Sequence, residues 1–206
     1  MKALQAALQD VFGVSGSFDG IEFAGRTDPW IIRQIFSRFG IEDTRENVAS
    51  YVDRYVSALP GILGESGTRV LPGVSDILGR AAAHPSVVQG LLTGNLRRGA
   101  QAKLGFHGLW DYFPIGAFAD DSEVRNELGP YALRRAKGHW GLDFPPQRTW
   151  VVGDTPHDIS CARAFGARAL AVATGGSGAS ELAAFNPDAV LESLGDQDAF
   201  WRTIGA

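Results

Sequence analysis

The stretch Arg148-Thr-Trp-Val-Val-Gly-Asp-Thr-Pro-His-Asp158 decides the fold, because it joins a short apolar run to the start of a helix. The β-branched run that ends at Gly153 predicts a buried strand, and Pro156 suits the first turn of a helix. We therefore expect Asp154 at the carboxyl tip of a strand and Asp158 on the adjoining turn. Ligands of open α/β sheets bind beyond the carboxyl ends of the strands.

Two hypotheses account for Asp154 and Asp158. Like charges that meet at a strand tip repel each other, and Mg²⁺ relieves that cost because it takes one or two carboxylates together with water and substrate phosphate. The alternative is an aspartate at a helix N-cap followed by a first-turn aspartate that the helix dipole favours. These residues alone leave the two hypotheses equally open.

The size and composition of the chain are those of an ordinary globular protein. Its 206 residues suit one domain, or one domain with a small insertion. A net charge of −4 without a basic stripe argues against a nucleic-acid partner. No apolar run approaches the length of a membrane span and no signal peptide precedes the first helix, so the expected compartment is the cytoplasm, with no membrane partner. The single Cys161 is expected to be a small buried thiol.

Apolar residues at helical spacing dominate the first seventy positions. They predict helices over residues 1–13, 28–40 and 44–59, and Pro60-Gly61 is expected to end the third helix. No strand is expected in this part of the chain. The pattern changes at Leu71-Pro-Gly-Val74.

Strands alternate with helices over residues 71–206, which implies a parallel sheet covered by helices on both faces. The expected fold class is α/β, with a Rossmann-like arrangement. The predicted strands are 86–92, 115–118, 150–153, 169–173 and 189–191. The predicted helices are those that end near residues 83, 104, 141, 165 and 185.

The sequence Leu91-Leu-Thr-Gly-Asn95 places a hydroxyl and a glycine between a strand and a helix. Such a turn offers backbone N–H groups and the helix dipole to an anion, and the Thr93 hydroxyl can add a donor. The alternative is a Thr/Asn cap on the following helix, and Gly94 serves either arrangement.

A cation near the carboxyl end of a strand could hold a phosphate against a metal ion. Arg125, which follows Asp120-Asp121-Ser122, is the expected residue, and Lys103 and Lys137 compete for the role. The alternative is a solvated surface arginine paired with Asp121 or Glu123.

The order of these pieces resembles the haloacid dehalogenase superfamily, and its nearest branch is the phosphoglycolate-phosphatase-like phosphatases that carry a helical cap. Thr93-Gly-Asn95 resembles the second motif of that family, and Gly153-Asp154-Thr-Pro-His-Asp158 resembles the fourth. Arg125 matches the third motif, where the family commonly has Lys. The resemblance covers nearly the whole chain and implies a helical cap over residues 1–70 and a Rossmann-like core over 71–206.

The resemblance implies a Mg²⁺-dependent phosphatase that hydrolyses a small phosphorylated metabolite through an aspartyl-phosphate. Thr93, Gly94, Asn95 and Arg125 would hold the phosphate, and Thr93, Arg125 and Asp154 would be catalytic. Mg²⁺ would bind Asp154, and Asp158 would ligate it directly, ligate it through water, or fix the loop. Within the cap-like Phe23-Ala-Gly-Arg-Thr-Asp28, Arg26 could meet the substrate or could equally face solvent.

The chain departs from the family at the first motif. A strand that ends in Asp-x-Asp-Gly-Thr should precede the cap, and none does. Asp19 and the pair Asp120-Asp121 are poor substitutes. We therefore expect an impaired enzyme whose start is truncated or misplaced, or, as the alternative, an inactive relic that binds phosphate or has a regulatory role.

The missing strand also has a structural consequence. In the family it lies mid-sheet, so the edges of residues 86–92 and 149–153 would remain unpaired or would pair with each other. An oligomer formed by strand exchange is possible.

Overall fold

The computed structural model describes every residue from Met1 to Ala206. Its first part is helical: α1 is Lys2–Phe12, α2 is Asp28–Phe39 and α3 is Arg45–Glu65. The apolar faces of these helices meet in one cluster of 12 buried residues, with Phe36 and Tyr51 fully enclosed. As predicted, this part contains no strand.

Helix α3 is longer than the sequence predicted, because Pro60 lies inside it rather than at its end. The ring of Pro60 faces solvent, whereas Leu59 is buried and Ile62 and Leu63 pack on the same cluster. The packing of these side chains outweighs the loss of the backbone hydrogen bond that proline cannot donate, so the helix continues past Pro60.

The second part alternates strands and helices. Its strands are β1 Leu91–Leu92, β2 Gly116–Ala117, β3 Trp150–Gly153, β4 Arg168–Val172 and β5 Ala189–Leu191. Its helices are α4 Val74–Ala83, α5 Arg97–Phe106, α6 Leu128–Trp140, α7 Pro156–Ala164, α8 Ala179–Ala183 and α9 Gln197–Ile204.

All strand pairs are parallel, and they form two sheets, as expected for the alternative in which the edges of residues 86–92 and 149–153 remain unpaired. One sheet has the order β1–β2, with Leu91 opposite Gly116. The other has the order β3–β4–β5, with Val151 opposite Ala169. The α/β class is confirmed, and the sheet is divided between β1 and β3, whose facing edges do not pair with each other.

The backbone of both facing edges is free of strand partners. Leu91 N donates to Ile115 O at 3.0 Å and Thr93 N donates to Ala117 O at 3.0 Å, so the peptide groups of Leu92 point away from β2. The same alternation in β3 turns the peptide groups of Val152 away from β4, and the residue is 41% exposed.

The predicted strand over 86–92 is correspondingly short, because only its last two residues join a ladder. A strand gains regular structure from its neighbours, and β1 has a neighbour on one side only.

Helix α9 was not predicted from the sequence. Phe200 and Trp201 are buried in a cluster of six residues that includes Ile77 of α4 and Leu170 of β4. This cluster and a cluster of seven around Val151 and Ile159 fill the α/β part. The domain boundary near residue 70 stays a prediction. No helix combines the length and apolar character that crossing a membrane needs.

Candidate functional site

A polar cleft of about 280 Å³ lies where the carboxyl ends of β1 and β3 approach the helical part. It brings together most of the residues that the sequence singled out. Those lining it are Arg26, Thr93, Gly94, Asn95, Arg125, Asp154 and Asp158, with Phe23, Gly25, Leu92, Val152, Gly153 and Thr155.

Asp158 is buried and both of its carboxylate oxygens are engaged within the protein. Oδ2 accepts hydrogen bonds from Asp154 N at 3.1 Å, Thr155 N at 3.0 Å and Thr155 Oγ1 at 2.8 Å. Oδ1 accepts from Arg125 Nη2. This geometry corresponds to a carboxylate that fixes the loop, and ligation of a metal ion by Asp158 stays a prediction.

Thr155, and not Asp154, is the N-cap of α7, and Asp158 completes a capping box with it. The capping alternative therefore holds with a different first residue. Gly153 makes the turn possible, because a Cβ there would lie 2.2 Å from Asp158 Cγ. Gly153 is thus a packing requirement of the loop.

Asp154 points into the cleft from the tip of β3, and its side chain has no hydrogen-bond or ion-pair partner within the protein. It reaches solvent, yet partial desolvation by the cleft walls and the neighbouring Asp158 raise its pKa above the usual value for an aspartate. The loop after β4 closes on it, since a Cβ on Gly175 would lie 2.2 Å from Asp154 Oδ2. Asp154 is the carboxylate of the cleft that has oxygens to offer a ligand.

Arg125 joins the two sides of the cleft. Its Nη2 binds Asp158, and its Nη1 would lie 3.0 Å from a Cβ placed on Gly94. Its Nε is buried and has no hydrogen-bond partner. A buried guanidinium N–H without a partner is costly, so the protein alone leaves this arginine incompletely hydrogen-bonded.

The competing cations lie elsewhere. Lys103 donates to Asn95 Oδ1 at 3.0 Å and does not line the cleft. Lys137 is exposed and pairs with Asp143 at 2.7 Å. Arg125 does not pair with Asp121 or Glu123, which bind Arg135 and Arg33 instead.

The N-terminus of α5 is less available to an anion than the sequence suggested. Leu96 N donates to Asp28 Oδ2 at 2.8 Å, and Arg97 N donates to Asp120 Oδ2 at 2.6 Å. Asn95 N donates to Thr93 Oγ1 at 3.2 Å. The hydroxyl proton of Thr93 and the backbone N–H of Gly94 remain for a ligand.

The side chain of Asn95 is also committed, since its Nδ2 donates to Asp28 Oδ1 at 3.0 Å and its Oδ1 accepts from Lys103. Sequence reasoning missed Asp28. The only signal for it was its place beside Pro29 at a helix start, which reads equally well as an ordinary first-turn acid.

Arg26 lines the cleft, but its charge is balanced. Its Nε and Nη2 donate to Glu22 Oε2 at 2.8 and 2.6 Å, and its guanidinium lies 4.5 Å from the ring centroid of Trp30. Glu22 Oε1 also lies 3.3 Å from His157 Nε2, so the ion pair connects the helical part to α7. Hydrogen bonds from Arg26 and His157 lower the pKa of Glu22.

None of the substitute aspartates lines the cleft. Asp19 is exposed in the helical part, and Asp120 and Asp121 bind Arg97 N and Arg135. One Asp-x-Asp sequence escaped the sequence reasoning, at Asp196-Gln-Asp198. Asp196 caps α9 by accepting from Ala199 N at 2.9 Å, which assigns that sequence to the helix start.

The donor set fits one corner of a Mg²⁺ site. Asp154 supplies a hard oxygen ligand, and Mg²⁺ accepts one or two carboxylates when water and phosphate oxygens complete its shell. No group of three or more His, Cys, Asp or Glu side chains is arranged to hold a metal ion. Cys161 is buried, as expected, and burial raises its pKa to about 11, so it is not a thiolate ligand.

Residues 125–197 match the HAD-hydrolase-like family model. The chain is 30% identical over 107 residues to the pyrophosphatase PpaX of Bacillus mycoides, which covers 52% of this chain and 48% of that protein. It spans about half the length of the PpaX relatives that it matches. It is 28% identical over 170 residues to the phosphoglycolate phosphatase of Synechococcus elongatus, covering 81% and 74% of the two chains.

Solved structures share the fold. CbbY from Rhodobacter sphaeroides, solved in complex with phosphate, aligns with a TM-score of 0.72 at 17% identity over 95% of this chain and 87% of that one. A hydrolase from Pseudomonas syringae aligns with a TM-score of 0.70 at 18% identity over 98% and 89%. The family match over residues 125–197, the sequence relatives and the shared fold agree: this chain is similar to the phosphatases of the haloacid dehalogenase superfamily.

Proposed function

We propose that this protein is a Mg²⁺-dependent phosphomonoester hydrolase whose cleft binds a small phosphorylated metabolite. The observation that carries the proposal is the convergence of Thr93, Gly94, Arg125 and Asp154 on one polar cleft at the carboxyl ends of β1 and β3. Anion donors and a carboxylate with available oxygens are the groups that phosphoryl transfer requires in one place. The sequence relatives that are phosphatases support the same reaction class.

Each residue has a distinct task in this proposal. Arg125 donates to phosphate oxygens while its Nη2 stays on Asp158. Thr93 adds its hydroxyl proton from the opposite wall. Asp158 holds the backbone of Asp154 and Thr155 in place. Mg²⁺ would be held by Asp154 and, when bound, would neutralise charge on the phosphate.

The nucleophile is the missing part. An aspartyl-phosphate mechanism needs a carboxylate beyond Asp154 and Asp158, and no other carboxylate lines the cleft. The facing edges of β1 and β3 have free backbone groups and open into the same cleft. We infer that turnover requires one further strand between them, with a carboxylate at its carboxyl end, and that the chain is impaired without it.

The cleft volume of about 280 Å³ and its polar lining suit a small substrate. Phe23 and Arg26 form the part of the rim that belongs to the helical region, so they contact the group beyond the phosphate. Because Arg26 is already balanced by Glu22, we expect it to orient a polar leaving group rather than to bind a second phosphate.

A second candidate function is phosphate binding without turnover, as a regulatory protein would use it. The observation that favours it is the same lack of a third carboxylate in the cleft. Both candidates share the phosphate site and differ only in chemistry. A cytoplasmic location stays a prediction of the sequence.

The deciding experiment measures Mg²⁺-dependent phosphate release from an aryl phosphate by this chain, by Asp154→Asn and by Asp143→Asn. Asp143 is an exposed carboxylate that forms an ion pair with Lys137, so its variant is the matched control. Activity that only Asp154→Asn lacks would support the hydrolase and would show that the present residues contain a nucleophile.

Absence of release from all three proteins moves the decision to binding of inorganic phosphate, measured by calorimetry with Mg²⁺ present. Binding that weakens in Arg125→Met supports the non-catalytic candidate for the chain as it stands. No binding to the unaltered chain would overturn both functions.

A further inference from the structure

Asp28 is a buried acid outside the cleft that the proposed function does not use. It is 6% exposed and does not line the cavity, although it lies at the first turn of α2 beside Arg26, which does. A carboxylate that is taken out of water is costly unless it is paired or hydrogen-bonded. The hydrogen-bond partners of Asp28 therefore show which part of the protein this buried carboxylate stabilises.

All hydrogen bonds of Asp28 to the α/β part go to the turn that carries Thr93 and Gly94. Its backbone N donates to Gly94 O at 2.7 Å, and its Oδ2 accepts from Leu96 N at 2.8 Å. Its Oδ1 accepts from Asn95 Nδ2 at 3.0 Å. One residue of the helical part thus fixes three consecutive residues of the anion-binding turn.

The neighbouring Thr27 binds the second wall of the cleft. It is 2% exposed, and its Oγ1 donates to Glu123 O at 2.8 Å, two residues before Arg125. The start of α2 therefore contacts both loops that present phosphate donors. Gly94 permits this approach, because a Cβ there would lie 2.6 Å from Arg26 O.

The charge of Asp28 is balanced through Asn95. Lys103 donates to Asn95 Oδ1, and its Nζ lies 5.7 Å from the centroid of the Tyr55 ring. The amide of Asn95 thus bridges a carboxylate and an ammonium group that lie behind the turn. This arrangement lies outside the cleft, because neither Asp28 nor Lys103 lines it.

We propose that Asp28 is a positioning residue of the phosphate site: from the start of α2 its carboxylate holds the Thr93–Leu96 turn in its binding geometry. The affinity of the cleft for phosphate then depends on a residue that never touches the ligand. The helical part and the phosphate turn are coupled, so a displacement of α2 loosens the turn. The affinity consequence rests on the proposed function, whereas the ordering of the turn does not.

The test is amide hydrogen exchange of the full chain, with Asp28→Asn compared with Asp53→Asn. Asp53 is an exposed carboxylate of α3 paired with Arg98, which makes it the matched control. Asparagine offers one acceptor where aspartate offers two, so Leu96 N or Asn95 Nδ2 loses its partner. We expect exchange at residues 94–97 to accelerate at least about tenfold in Asp28→Asn, with helix α9 and the control unchanged. Unchanged exchange at residues 94–97 would overturn the proposal.

A second variant separates positioning from burial of charge. Asp28→Asn leaves Lys103 without its carboxylate, so Lys103→Met is added to remove that charge. If Asp28 only balances Lys103, the double variant restores slow exchange at the turn, and the proposal is overturned. If Asp28 positions the turn, the double variant recovers stability while exchange at 94–97 stays faster than in Lys103→Met alone, which loses only the Lys103–Asn95 hydrogen bond. The double variant also serves if Asp28→Asn alone does not fold.

Titration with inorganic phosphate in the presence of Mg²⁺ gives the functional readout. We expect the Kd to rise by about tenfold in both Asp28 variants and to stay unchanged in Asp53→Asn. Equal Kd values despite fast exchange would overturn the link between the turn and affinity. If the unaltered chain binds no phosphate, the proposed function fails, and the exchange result still decides whether Asp28 orders the turn.

Discussion

The helices of residues 2–65 and the strands of residues 91–191 bury their apolar surface in different ways. The helical part has one cluster of 12 buried residues, whereas the α/β part has separate clusters of seven and six and a sheet that is divided between β1 and β3. A helix satisfies its own backbone hydrogen bonds, but a strand depends on the strands beside it. Loss of one neighbour therefore leaves a helical unit intact and interrupts a sheet.

The candidate site lies in the interrupted part. Thr93 and Asp154 follow the two strands whose facing edges are unpaired, and the bridge between them is made by side chains, above all by Arg125 and Asp158. The site is therefore held together by the Arg125–Asp158 ion pair and by the hydrogen bonds of Asp28 from α2, and not by a continuous ladder of strand hydrogen bonds. The comparison predicts which substitutions matter most.

The largest effect is expected in the single cluster of the helical part. Phe36→Ala opens a cavity at a fully buried position and should lower the free energy of unfolding by about 3–5 kcal/mol. Urea denaturation measures this, with the 44% exposed Phe185→Ala as control. A loss of unfolding free energy no larger than that of the control would contradict the contrast between the two parts, because it would mean that the helical cluster is not tightly packed.

A smaller loss is expected where side chains bridge the divided sheet. Arg125→Met removes the charged hydrogen bond to the buried carboxylate of Asp158, which keeps its three other donors, and should cost about 1.5–3 kcal/mol of unfolding free energy. Arg98→Met removes an exposed ion pair with Asp53 and should cost less than about 1 kcal/mol. Equal losses in the two variants would show that the Arg125–Asp158 pair does not hold the cleft together.

Asp154→Asn is expected to stabilise the chain, in contrast to both preceding variants. The folded state raises the pKa of Asp154, so the folded chain binds a proton more readily than the unfolded chain, and wild-type stability falls as the pH rises through the folded pKa. The variant should therefore be more stable than wild type at pH 7, and this gain should vanish below the ordinary pKa of an aspartate.

Urea denaturation at pH 7 and at pH 3.5 tests the sign, with Asp143→Asn as the exposed control. A variant that is less stable than wild type at pH 7 would show that Asp154 has a stabilising partner and is not the available carboxylate of the cleft.

The smallest effect concerns Cys161, which lies beneath the cleft. Its thiol is buried, donates to Arg125 O at 3.2 Å, and has its pKa raised to about 11. We expect a thiol reagent to leave the native chain unmodified at pH 8 and to react fully in urea. Rapid reaction of the native chain would show that the divided part opens locally much more often than the helical part does.

Elements whose sequence pattern depends only on residues close along the chain were predicted well. The helical spacing of Ile31, Ile32 and Ile35 locates α2, and the β-branched run before Gly153 locates β3. The parallel α/β class follows from alternation of such patterns and is confirmed. Length errors arose where distant contacts decide, as in the continuation of α3 through Pro60 and the shortening of the strand before Thr93.

The sequence by itself determined the identity and order of the groups at the candidate site: Thr93, then Arg125, then Asp154 and Asp158, each beside a strand or a helix start. Only the tertiary structure decided how they are used. It commits both oxygens of Asp158 to the protein, leaves Asp154 available, and turns Asp28 from a first-turn acid into a clamp on a distant turn. The physical reason is that side-chain hydrogen bonds and strand neighbours join residues far apart in the chain, and periodicity records only contacts close along it.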